Sequence, residues 1–185
     1  MAARSTAHRA GTISADHRPP DGAPSIGSYP AQVHEIQIQQ VPFDSPVAQR
    51  LITATLADLA ARYGGSGDAT PVDAHEFVPP AGAFLVAQID GQAVGCGGWR
   101  SHGEATAELK RMYTAPEVRG RGVARTLLAA IERSAREHGR RRLILECGDR
   151  QPEAIALYKA AGYERIPNFG FYADEPGCLS FGRTL

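Results

Sequence analysis

The segment Arg119-Gly120-Arg121-Gly122-Val123-Ala124 has residue types and spacing that suit anion binding. Glycines let a backbone approach a charged group closely, and here two arginines accompany them. If a helix begins at Val123, its first N–H groups have no partner within the helix, and the positive end of its dipole points at the loop. Loop and helix start together make a cradle for pyrophosphate. A plain turn before a helix does not require three small residues interleaved with arginines. The residues therefore predict a site for a phosphate-bearing ligand.

The flanking elements must place that loop. Strand propensity starts at Val33 and runs through Ile36, Ile38 and Val41. Ser45-Pro46 reads as an N-cap followed by proline at the first helical position. Val47, Leu51, Ile52, Thr55, Leu56 and Leu59 follow at helical spacing to Tyr63, and Gly64-Gly65-Ser66-Gly67 stops the helix. Polar residues up to Pro80 predict a loop with room for one short helical turn. Ala83–Ile89 and Ala93–Trp99 read as strands joined by the hairpin signal Asp90-Gly91. Gly95, Gly97 and Gly98 suggest a bulge or a close backbone approach. Residues 104–113 form a third strand, so three strands adjacent in sequence pair as an antiparallel meander. After the Arg/Gly loop, Val123, Leu127, Leu128, Ile131 and Ala135 share one helical face; Arg125, Glu132, Arg133 and Arg136 fall away from it. Leu143-Ile144-Leu145 suits a strand buried on both faces. Pro152 opens another helix, Gly162 is its C′ residue, residues 167–176 form a loop, and Cys178–Phe181 is a last short strand.

The hexad fits the Arg/Gln-x-x-Gly-x-Gly/Ala signature, and in context the chain resembles the GNAT N-acetyltransferase superfamily. In that family the signature also follows a strand and opens a helix. About thirty residues later the family shows Asn-x-x-Ala and a helix ending Leu-Tyr-x-x-x-Gly-Phe/Tyr; here residues 151–163 read QPEAIALYKAAGY. The resemblance covers Ala83 to Leu185, with weaker agreement from Val33. Gln151 stands where asparagine is usual, a departure that bears on one cofactor-side hydrogen bond. Leu109-Lys110-Arg111-Met112-Tyr113 looks like a bacterial branch whose members are mostly assigned only as acetyltransferases.

The resemblance implies an α/β fold of α+β type, with a mixed, mostly antiparallel sheet and helices on both faces. It implies acetyl-CoA as co-substrate and no metal. Met112, Tyr113 and Thr114 would pair with the pantetheine arm, and a backbone N–H there would face the thioester carbonyl. Arg119, Gly120, Arg121, Gly122, Val123 and Ala124 would hold the pyrophosphate, with Arg119 supporting the loop or the phosphates and Arg121 contributing mainly its N–H. Gln151 falls on the cofactor side. Tyr158 takes the place of a tyrosine that gives a proton to the departing thiolate. Glu108 lies eleven residues before Arg119, the spacing of the catalytic glutamate in the histone acetyltransferase branch. It would take the proton that an amine must lose before attack; Glu146 is a second candidate. Alternation would put Glu108, Lys110 and Met112 on one strand face, and Leu109, Arg111 and Tyr113 on the other. Cys147 near the acetyl group reads as a small buried side chain rather than a nucleophile. Tyr63, Phe77, Trp99, Phe169, Phe171 and Tyr172 are candidates for the acceptor pocket or the core.

Composition sets the remaining bounds. The chain has 185 residues, 22% of them charged, and zero formal net charge, so it exerts no global pull on nucleic acid or membrane. No apolar run reaches transmembrane length. Three widely spaced cysteines suit neither a disulfide framework nor a zinc site and suggest a reducing, cytoplasmic setting. Residues 1–31, poor in large apolar side chains, read as a disordered tail before a domain spanning 32–185. The expected partner is a small-molecule amine, and homodimers recur in the family. The rival function is an acyl-CoA-binding sensor or scaffold without turnover. A nucleotide enzyme is disfavoured because no Gly-Lys-Ser/Thr follows the loop.

Overall fold

The structure is a computed structural model that describes residues 35–185; the expected N-terminal tail at 1–31 lies outside the described residues. The elements in chain order are β1 (Ile36–Gln40), α1 (Pro46–Tyr63), β2 (Gly82–Ile89), β3 (Gln92–Ser101), β4 (Thr106–Thr114), α2 (Val123–Glu137), β5 (Arg142–Gly148), α3 (Pro152–Ala160), β6 (Glu164–Arg165) and β7 (Cys178–Thr184). Single 3₁₀ turns lie at Ala74–Phe77 and Pro116–Val118. One sheet runs β1-β2-β3-β4-β5-β7-β6. All its pairs are antiparallel except β4–β5, which is parallel. This is the mixed, mostly antiparallel sheet expected. No described helix is long and apolar enough to cross a membrane.

Local chemistry accounts for the boundaries. The Ser45 side chain accepts from the Ala48 N–H and Pro46 opens α1, while the Gly64 N–H closes it on the Ala60 carbonyl at 2.7 Å. Asp90 and Gly91 take φ of 51° and 75°, the two left-handed residues of a type I′ hairpin turn. The glycines at 97 and 98 allow close approach of both layers to β3. A Cβ on Gly97 would strike Ile131 and Met112, and one on Gly98 would strike Phe84 and Phe77.

Helices cover both faces. Ala48, Leu51 and Ile52 of α1 pack with Phe77, Phe84, Val86 and Cys96 on one face. On the other, Val123, Leu127, Leu128 and Ile131 of α2 and Tyr158 of α3 pack against Leu85, Trp99, Leu109, Leu145 and Phe181. Each large apolar side chain fully buried there contributes about 1.5–3 kcal/mol.

Three details differ from the sequence reading. Glu132 was expected on the solvent side of α2 and is buried. Its carboxylate accepts from the Tyr163 hydroxyl at 2.9 Å and from Arg183 Nη1 at 3.0 and 3.1 Å, partners that arrive from the far end of the chain. The last strand extends to Thr184 because it pairs along the whole of β5, from Gly148↔Cys178 to Arg142↔Thr184. The two-residue β6 exists only through its pairing with β7.

Candidate active site

β4 and β5 are paired only at Thr106↔Arg142, Ala107↔Leu143 and Glu108↔Ile144. Beyond these residues the strands part, and their facing backbone groups lose ladder partners. A cavity of about 360 Å³ occupies this region, with Leu109–Met112 from β4 and Leu145–Gly148 from β5 in its wall. Thr55, Leu59 and Tyr63 of α1 line it on one side of the sheet and Tyr158 of α3 on the other. The gap therefore passes through the sheet.

A bulge shapes the β4 wall. The β3–β4 register slips between Cys96 and Gly98, and Arg111 adopts a left-handed φ of 57°. The expected alternation fails at this point. Leu109 and Met112 both pack with the α2-side core, whereas Lys110 and Arg111 both reach partners on the α1 side. An extra residue in one strand turns two consecutive side chains to the same face.

The α1 side of the gap is strongly charged. Lys110 Nζ lies 2.7 Å from Glu108 Oε1 and 3.1 Å from Glu146 Oε2. Arg100 Nε donates to Glu108 Oε2 at 2.7 Å, and Arg100 Nη1 donates to Glu76. Glu108 is 2% exposed. Burial alone would raise its carboxyl, but the charges and hydrogen bonds of Lys110 and Arg100 override this and hold it below its ordinary value of 4.5. Both Glu108 oxygens are thus engaged by cations, and the residue does not line the cavity. Glu146 does line it, and its Oε1 has no partner among the described residues. Arg111 donates from Nη2 to the Thr70 carbonyl at 3.1 Å and pairs through Nη1 with Asp68.

On the α2/α3 side Tyr158 is buried, and burial raises its hydroxyl well above the ordinary value, so it stays protonated through the neutral range. Cys147 lines the cavity too, and desolvation pushes its thiol up to about 12. A thiol held protonated is a poor nucleophile. Gln151, at the N-cap of α3, is also in the wall.

At the start of α2, Gly120 and Gly122 take φ of 79° and 86°, and a Cβ on either would meet open space. Gly122 is the N-cap, with no capping side chain and no acidic residue in the first turn. The first intrahelical bond runs from the Thr126 N–H to the Gly122 carbonyl, so the amides of Val123, Ala124 and Arg125 precede it. These residues fit an approaching phosphate. The Arg121 N–H, by contrast, is directed to the Val118 carbonyl at 3.3 Å. Arg119 ties the loop down: Nε donates to the Thr114 carbonyl at 3.1 Å and Nη2 lies 3.2 Å from Asp58 on α1.

Of the β4 residues expected to serve the pantetheine, Met112 lines the cavity, while Tyr113 packs into both cores and Thr114 holds Arg119 through its carbonyl. Of the aromatic candidates, Tyr63 and Tyr172 line the cavity, Phe77 and Trp99 are core, and Phe171 is exposed. Sequence reasoning missed Asp68, Thr70, Lys110 and Arg111 as wall residues. Lys110, two residues from Glu108 on one strand face, was the available signal.

Residues 52–163 match the family model for the acetyltransferase (GNAT) family. An IAA acetyltransferase of Azospirillum brasilense is 39% identical over 115 residues, 62% of this chain and 75% of that protein. An uncharacterised N-acetyltransferase of Escherichia coli K12 is 33% identical over 140 residues, 66% of this chain and 84% of that protein. Among solved structures, a protein described as an acyl-CoA N-acyltransferase from Klebsiella pneumoniae superposes with a TM-score of 0.68 at 30% identity, covering 81% of this chain and 97% of its own. An Elizabethkingia anophelis acetyltransferase with acetyl-CoA bound shares the fold at a TM-score of 0.60 and 16% identity, with 81% of this chain and 98% of its own covered.

Proposed function

The chain belongs to the acetyltransferase (GNAT) family, and we propose that it moves an acetyl group from acetyl-CoA to the primary amine of a small molecule by direct attack within a ternary complex. The observation that carries this reading is the parting of β4 from β5 over a cavity lined from both sheet faces. One face supplies a protonated tyrosine and the other an unpartnered carboxylate oxygen.

Acetyl-CoA supplies an activated thioester. The amides of Val123 and Ala124, with the loop glycines 120 and 122, would hold its pyrophosphate, and Arg119 keeps that loop fixed to β4 and α1. Free backbone groups of β4 around Met112 would carry the pantetheine arm and donate to the carbonyl oxygen as negative charge develops on it. Gln151, at the start of α3, adds a polar side chain on the cavity wall.

The amine enters from the α1 side. Its nitrogen forms a bond to the carbonyl carbon, the carbon–sulfur bond breaks, one amine proton goes to a carboxylate, and the Tyr158 O–H gives its proton to the thiolate sulfur. Glu108, expected to act as base, has both oxygens committed to Lys110 and Arg100. Glu146 lines the cavity and its buried Oε1 has no partner among the described residues, so it is better placed to receive the amine, and Glu108 serves to position Lys110 against it. Holding both substrates in one cavity supplies much of the rate. Residues 32–185 form the catalytic domain in this reading.

An acceptor screen with acetyl-CoA, following release of free thiol, tests the proposal. Thiol release that depends on an added amine supports it. Coenzyme A binding with no amine-dependent release across amino acids, polyamines, aminoglycosides and peptides would instead support a sensor or scaffold.

A further inference from the structure

Six buried side-chain polar atoms among the described residues have no hydrogen-bond partner. Three of them, Thr70 Oγ1, Arg111 Nε and Glu146 Oε1, belong to residues that line the cavity between β4 and β5. Unsatisfied buried polar atoms are uncommon, and their gathering at one cavity calls for a common partner. The set has a definite polarity. Arg111 Nε can only donate, and Glu146 Oε1 can only accept when ionised. The Thr70 hydroxyl can donate beside the guanidinium, whose Nη2 already bonds to the Thr70 carbonyl.

Arg111 is also in an unfavourable backbone state. A left-handed φ is uncommon for a non-glycine residue, and the Arg111 side chain is only 4% exposed. Burying a guanidinium is costly unless it is paired and hydrogen-bonded. The bulge that creates this conformation is also what turns Arg111 toward the α1 side of the gap, next to Lys110. Its pairing with Asp68 and Thr70 engages Nη1 and Nη2 and leaves Nε free.

We propose that the acceptor is a small amino carboxylate, whose amine is received at Glu146 Oε1 and whose carboxylate is received at Arg111 Nε and the Thr70 hydroxyl. This rests on the acyl-transfer reading above and specifies the substrate class of the same site. A zwitterion carries an acceptor for the guanidinium N–H and the hydroxyl and a donor for the carboxylate oxygen. A simple amine would satisfy one and leave a buried guanidinium N–H and a hydroxyl unmet.

The test uses the whole chain, titrated calorimetrically with glycine, β-alanine, γ-aminobutyrate and bulkier L-amino acids, each beside its carboxamide, with and without saturating coenzyme A. The carboxamide keeps the amine and removes the charge. At least one acid is expected to bind about tenfold or more tightly than its carboxamide, the scale of a hydrogen bond to a charged group. Arg111→Asn should abolish that preference, because asparagine tolerates the left-handed backbone but lacks the guanidinium. Thr70→Val, close in shape and lacking only the hydroxyl, should reduce the preference while leaving the fold intact. Equal binding of acid and carboxamide, no binding of any acid, or a preference that survives both variants overturns the proposal. A clear acid preference in a protein that does not bind coenzyme A would uphold the carboxylate site and overturn the acyl-transfer reading.

Discussion

Lys110 Nζ lies 3.1 Å from Glu146 Oε2 across the gap where β4 and β5 part, and 2.7 Å from Glu108 Oε1 on its own strand. One cation thus holds two buried carboxylates, and only Glu146 has an oxygen left over. Glu146→Gln keeps the shape and a hydrogen bond to Lys110 but removes the proton acceptor. Turnover should fall by about 10²-fold or more, with acetyl-CoA affinity unchanged. Glu108→Gln should lower the melting temperature and cost less turnover. Steady-state kinetics and thermal melts of both variants separate the two roles.

Tyr158 is buried at the cavity, and burial keeps its hydroxyl protonated. Tyr158→Phe should therefore reduce kcat by roughly 10²-fold. Acetyl-CoA affinity should stay within a factor of about three. Paired measurement of kcat and of acetyl-CoA binding checks this, and an unchanged kcat would remove Tyr158 from proton transfer.

Acid should unfold the protein partly through Glu108. Its folded pKa lies below its ordinary value of 4.5, so the unfolded chain binds more protons in that range. The stabilisation is fully present above the ordinary value and is lost as pH falls through the lower folded value. The melting-temperature gap between the wild type and Glu108→Gln should therefore be widest near about pH 6 and shrink toward about pH 3. A gap that does not change with pH would contradict the pairing.

Leu127 is fully buried between α2 and the sheet. Leu127→Ala should cost about 2–5 kcal/mol in denaturant titrations, with the slope unchanged.

Much of this was legible where signals are local. Ser45-Pro46 and Gly64 bound α1 at Pro46–Tyr63, and Asp90-Gly91 sets the hairpin, because caps and type I′ turns depend on a few adjacent residues. The glycine turn that opens α2 at Gly122 was readable for the same reason. The left-handed Arg111 was not, since the bulge arises from how β3 and β4 pair, and one shifted residue moved Arg111 beside Lys110 and Met112 beside Leu109. Glu132 misled the helical-face reading because Tyr163 and Arg183, which bury it, are remote in sequence. The choice between Glu108 and Glu146 turned on which cations stand beside each, and that depends on Arg100 in a neighbouring strand.

The central claim is that the uncapped start of α2 receives the pyrophosphate of acetyl-CoA, and calorimetric titration of Gly122→Asp against Gly122→Asn tests it most directly. Gly122 has φ of 86° with open space around it, and asparagine and aspartate both tolerate that backbone, so the two variants differ mainly by one negative charge. Tight wild-type binding of acetyl-CoA is expected, kept largely in Gly122→Asn and weakened by about tenfold or more in Gly122→Asp, with the deficit shrinking at high salt. Equal affinities for the two variants, or no binding by the folded wild-type protein, would contradict the account.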